Sequence, residues 1–139
     1  MANDYKLTIK RSVADTEEMA LAILKTAIAS LVIDEMQRSR YEGGKIPIDT
    51  GFLIQSGAAA LNMPPVGESI KPDGSLPLQF AWEQGQFFVI LDKMKIDDTF
   101  YFGWTAEYAE DQNNIWQWVE RAVAHWQQHV DAAVGRARE

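Results

Sequence analysis

From Leu21 onward, apolar residues return every three or four positions, at Leu21, Leu24, Ile28, Val32 and Met36, the spacing that lines one face of a helix. Asp15 followed by Glu18 resembles a capping box, so the periodicity predicts a helix that starts near Ser12 and runs to Gly43 and Gly44. Met19, Ala20, Ala22, Ile23, Ala27, Ala29, Leu31 and Ile33 lie off that line. A helix apolar on nearly every side has to be covered on nearly every side. Either the rest of the chain covers it, or a neighbouring subunit does, with Leu21, Leu24, Ile28 and Val32 as the predicted subunit interface.

Other segments follow other rhythms. Tyr5 to Lys10 alternates apolar and polar residues, as a short strand or extended arm within residues 1–12 would. Leu53 to Met63 reads as a strand with a small-residue part at Ser56 to Ala60, ended by Pro64 and Pro65. Residues 64–77 hold four prolines and two glycines, which predicts a mobile surface loop. Phe87 to Leu91 suits a helix or a strand, and within residues 84–95 the expectation is a short helix. Thr99 to Trp104 is β-branched and aromatic, and predicts a strand. Asp111 to Asn114 offers caps for a final helix in which Ile115, Val119, Val123, Trp126, Val130 and Val134 recur at helical spacing. The expected fold is one α+β domain over residues 1–139. In it, the long N-terminal helix and the C-terminal helix pack on a small, mainly antiparallel β-sheet.

Composition narrows the chemistry. The 139 residues suffice for one domain with a core and contain no cysteine, which removes disulfides, thiolate metal ligands and thiol nucleophiles. A formal charge of -7 argues against a grip on nucleic acid backbones, so no sequence-specific nucleic acid binding is expected. The most apolar run, Met19 to Ile33, is interrupted by Lys25, Thr26 and Ser30 and is too short for a membrane span. Asp15, Glu17 and Glu18 stand where a secretory leader would be basic, so neither a leader nor a membrane partner is expected.

Four groupings have the residue types of a reactive or binding site. Asp49-Thr50-Gly51 matches the loop of an aspartic protease, which would require a homodimer to pair two carboxylates. The bulky Phe52 after the glycine and the long helix before it argue against such an enzyme. His125 and His129 have the spacing of two metal ligands on a helix, but Arg121 lies one turn earlier and only Ala132 and Ala133 one turn later. The expectation is two solvent-facing histidines and no metal. Glu107, Glu110 and Asp111, like Asp97 and Asp98, lack the alternating oxygen ligands and central glycine of a calcium loop. Three of the five tryptophans, Trp116, Trp118 and Trp126, fall in the final helix; such residues line ligand surfaces less often than they anchor cores and interfaces. No cofactor is expected and no catalytic residue is assigned.

The order of the pieces is more telling. A long helix precedes Pro47-x-Asp49-Thr50-Gly51-x-Leu53-x-x-Ser56; a variable loop, a strand ending in Gly103-Trp104, the pair Tyr108-Ala109 and a last helix follow. This arrangement, from about Asp15 to Val134, resembles the tail-completion, or neck, proteins of long-tailed bacteriophages and related gene transfer agents. Where many members continue from Tyr-Ala to a Glu-aromatic-Gly ending, this chain has Glu110-Asp111-Gln112. The resemblance implies a structural protein rather than an enzyme. It would form a homo-oligomeric ring at the head-proximal end of a tail, contact other neck or tail proteins, help join tail to capsid, and be located in the virion after synthesis in the host cytoplasm. An acidic ring lumen would let DNA pass without sticking. The alternative is a small-ligand-binding protein or enzyme with an aromatic-lined pocket, or a regulatory interaction module. Independently of the resemblance, Pro47 stops a helix, Asp49 and Thr50 can bond nearby backbone, and Gly51 permits positive φ. Every residue of the motif is therefore explicable as a junction, in which Asp49 holds the turn that aims the first strand.

Overall fold

The computed structural model describes the backbone of residues 2–48, 51–72 and 80–138, and their side chains from Thr16 onward. The fold is α+β. Helix α1 spans Ala2–Leu31 and passes into a π-helical turn, Val32–Met36, followed by a 3-10 turn at Arg40–Glu42. Next come a one-turn helix α2 (Phe52–Gln55), strand β1 (Gly57–Leu61), helix α3 (Gln84–Lys93) and strand β2 (Phe100–Trp104). Helices α4 (Ala109–Trp116), α5 (Trp118–Val123) and α6 (Trp126–Ala137) complete it. Among the described residues, no helix is long and apolar enough to cross a membrane.

Strands β1 and β2 pair antiparallel, from Gly57 opposite Trp104 to Leu61 opposite Phe100. A two-stranded sheet is marginal by itself and needs a covered face. Phe100, Phe102 and Trp104 alternate along β2 onto one face, where Phe87 of α3 stands edge-on to Phe100 and Phe102, with centroids 6.0 and 5.9 Å away. The opposing strand is small so that these rings fit. A Cβ on Gly57 would sit 2.9 Å from the Phe102 ring and 2.2 Å from the Gln37 amide. Phe87, Leu91 and Met94 join Ile28, Leu31, Val32, Met36 and Ala122 in the first core cluster. Ile46, Phe52, Leu53, Ala106 and Trp118 form a second cluster, and Trp104 packs against both.

Several expectations are corrected. Residues 5–10 belong to α1 rather than to a strand or arm; extending an existing helix adds one hydrogen bond for each residue fixed, so a short alternating segment can be absorbed. Asp15 is consequently inside α1 and not at its start. The regular helix stops at Leu31, well short of Gly43, because the π-helical turn closes with the Gln37 N–H donating to Val32 O. The predicted strand from Leu53 begins as helix α2, since Ser56 N–H bonds back to Phe52 and Leu53 carbonyls; only Gly57 onward is strand. The predicted single C-terminal helix is three. Gln117 takes the left-handed conformation, φ 51° and ψ 40°, and a second break falls at Ala124 and His125. Asn113, expected to cap the helix start, instead accepts Val119 N–H at 3.2 Å across the first break.

The apolar stripe of α1 also differs from its predicted use. Ile28 and Val32 are buried in this chain's own core, and Leu21 and Leu24 are half-buried against it, so the surface assigned to a subunit interface is largely occupied. The 64–77 loop is fixed at its described end, where Ser69 donates to Thr105 O at 2.6 Å and accepts from Glu107 N–H at 2.9 Å. Residues 73–79 lie outside the described set.

Candidate functional site

The chain leaves the π-helical turn and doubles back, with Ile46 N–H on Arg38 O at 3.2 Å and Arg40 N–H on Ile46 O at 3.0 Å. This return places Pro47 and Ile48 beside α2. Asp49 and Thr50, the centre of the motif, lie outside the described residues. Gly51 has φ +87°, and a Cβ there would fall 2.4 Å from Phe80 O, so position and conformation both require glycine. Leu53 enters the second core cluster. Ser56 Oγ donates to Leu53 O at 2.7 Å, and Ser56 O accepts Thr105 N–H at 3.2 Å, joining the motif to the exit of β2.

Sequence reasoning missed Gln37, which ties these parts together. Its amide donates to Ile54 O at 2.7 Å and accepts the Trp104 indole N–H at 2.7 Å. Trp104 stacks edge-on against Trp118, with centroids 5.2 Å apart, and Tyr108 lies 6.3 Å from Phe52. Gly51, Leu53, Ser56, Trp104 and Tyr108, far apart in sequence, thus meet at one junction, with Ala109 opening α4 beside it. Gly103 is not forced by space: a Cβ there would meet Pro65 at an ordinary 3.9 Å.

A cleft of about 400 Å³ opens next to the junction, lined by Arg40, Pro47, Gly51, Leu53, Tyr108 and Trp116 among others. The Arg40 guanidinium lies over the Trp116 ring at 3.9 Å and the Tyr41 ring at 4.8 Å, and donates to Tyr41 Oη at 3.0 Å. The cation is thus held by aromatic faces, an arrangement that stabilises the wall and leaves the guanidinium edge for an anion.

A second grouping overturns the expectation for the histidines. His125 caps the start of α6 and His129 lies one turn further, and both face Glu35 of the π-helical turn instead of solvent. Nδ1 of His125 donates to Oε1 at 2.6 Å, and Nε2 of His129 donates to Oε2; an ionised carboxylate can only accept. Lys45 Nζ stands 3.8 Å from Oε1. The Glu35 side chain is 11% exposed, against 15% for His129 and 40% for His125. Desolvation alone would raise the Glu35 pKa, but the hydrogen bonds and charges of both histidines together outweigh it, and the carboxyl is held below its ordinary value. Each imidazole addresses a different oxygen of one carboxylate, so these groups satisfy one another. Among the described residues, no group of three or more histidine or acidic side chains is arranged to hold a metal ion. Glu35 escaped sequence reasoning because the contact joins positions 90 and 94 residues apart. The one available signal was a carboxylate inside an otherwise apolar helical stripe.

Comparison of the chain with known protein families, characterised proteins and solved structures found no match.

Proposed function

We propose that this chain is a structural virion protein of the tail-completion, or neck, kind, which works by assembling into a ring at the head-proximal end of a phage tail and docking there without turnover. What carries the reading is the ordered set of a long helix, the Pro47 to Ser56 junction, the Gly103-Trp104 strand end, Tyr108-Ala109 and a C-terminal helical region. The use of the described motif residues agrees with it. Gly51, Leu53 and Ser56 shape backbone and fill core, and Gln37 locks the junction to Trp104; these are the tasks of a scaffold. The exposed apolar residues Met63, Val66 and Ile70, the last two 82% and 71% exposed, supply docking surface of the sort that partner contacts use.

Light scattering over a concentration series, at low and moderate salt, with electron microscopy of any large species, tests the proposal. A closed ring is the expected result. A chain that stays monomeric at every concentration and does not associate with isolated tails counts against it.

One observation favours a second reading. The cleft beside Arg40, Tyr108 and Trp116 has the aromatic wall and positive charge of a site for a small anionic ligand. Saturable binding of a small aromatic anion, lost in Arg40→Ala, would support that reading.

A further inference from the structure

We propose that Glu35, His125 and His129 form an acid-release latch that holds α6 on α1. The inference goes beyond the neck reading and does not depend on it. Helix α6 returns antiparallel along α1. Its start meets Glu35, and near its end Ala133 and Ala137 share a cleft with Ala22, Ile23 and Thr26. The latch therefore sits at one end of the contact between α1 and α6. The π-helical turn that presents Glu35 is an uncommon element, frequent at functional positions.

Among the described residues, the ionisable groups facing the carboxylate are His125 and His129 from α6 and Lys45 from the segment after the 3-10 turn. Glu35 is the one anion among them. While it is ionised, it accepts from both imidazoles. Once protonated, it loses its charge and one oxygen becomes a donor, so it can no longer accept from both imidazoles or attract Lys45. The tie between α6 and the π-helical turn is then lost. Release uncovers the small-residue face of α1 and frees Trp126 from the first core cluster.

The direction follows from linkage. The docked carboxyl has a lowered pKa, so docking is favoured above the ordinary carboxyl value of 4.5 and the benefit is lost as pH falls through the docked value. Each unit by which docking lowers the pKa makes a tenfold difference in the docking equilibrium.

Amide hydrogen exchange of residues 126–137, corrected for intrinsic rates and followed from about pH 6.5 to about pH 3.5, tests the latch. In the unaltered chain, exchange in α6 should accelerate relative to α3 and β1 as the pH falls. Glu35→Gln should exchange rapidly in α6 already at the upper end and show little further change. His125→Gln with His129→Gln should abolish the pH step, which keeps the question open to measurement if the Glu35 variant does not fold. Acceleration of α6, α3 and β1 in parallel, or a pH step that survives in either variant, overturns the proposal.

Discussion

Glu35 and Gln37 leave the same π-helical turn and are equally buried, each at 8% exposure, yet they serve opposite sides of the molecule. Gln37 reaches into the motif junction and is satisfied by two neutral partners, the Ile54 carbonyl and the Trp104 indole. Glu35 turns to α6 and is satisfied by the two imidazoles, one on each carboxylate oxygen. With burial equal, charge alone distinguishes the two ties. A neutral amide gives a joint that is indifferent to acidity; a carboxylate gives one that holds only while it is ionised. The junction is built as a fixed corner and the helix pair as a conditional one.

Trp118 packs on Trp104 at the base of the fixed corner and is almost fully buried. Trp118→Ala should cost about 3–5 kcal/mol by denaturant titration and loosen both clusters. Next, Gln37→Ala removes an acceptor from the Trp104 N–H and a donor from Ile54 O, with an expected loss of about 1–3 kcal/mol. That loss should be the same in neutral and mildly acidic buffer; a marked pH dependence would show that the two ties are not separable. Gly51→Ala should cost a similar amount, about 1–3 kcal/mol, through its left-handed backbone and the close Phe80 carbonyl.

Glu35→Gln supplies the contrast. The stability gap to the unaltered chain should be widest above pH 4.5 and narrow as pH falls through the lowered carboxyl value, because the advantage belongs to the ionised form. A gap independent of pH would place Glu35 with Gln37. The smallest effect concerns an exposed turn. The Asp98 carboxyl accepts from the Asn62 amide and from Lys95 N–H, which hold its pKa below the ordinary range. In Asn62→Ala, the Asp98 titration followed by nuclear magnetic resonance should move up toward the ordinary carboxylate value, with a stability loss of about 1 kcal/mol from the left-handed backbone at position 62.

Features that depend on near neighbours along the chain were legible in the residues alone. The helical periodicity of Leu21 to Met36, the β-branched and aromatic run before Trp104, and the fit of a short helix around Phe87 to Leu91 set the class α+β and located the main elements. Gly51 and Ser56 were legible as junction residues because turn conformation and backbone bonding are local. Where these elements stop, and what their side chains meet, depends on long-range packing. The periodic pattern crosses Gln117 and His125 unbroken, because apolar spacing reports a buried face and not the backbone that carries it. The α1 stripe could be read as an interface or as core, and the choice fell to core once α3, α5 and β2 were packed on it. His125 and His129 could not be assigned to Glu35 by any local rule. Their meeting depends on α6 folding back along α1, and hydrogen bonds between residues so distant in the chain exist only when every intervening turn is in place.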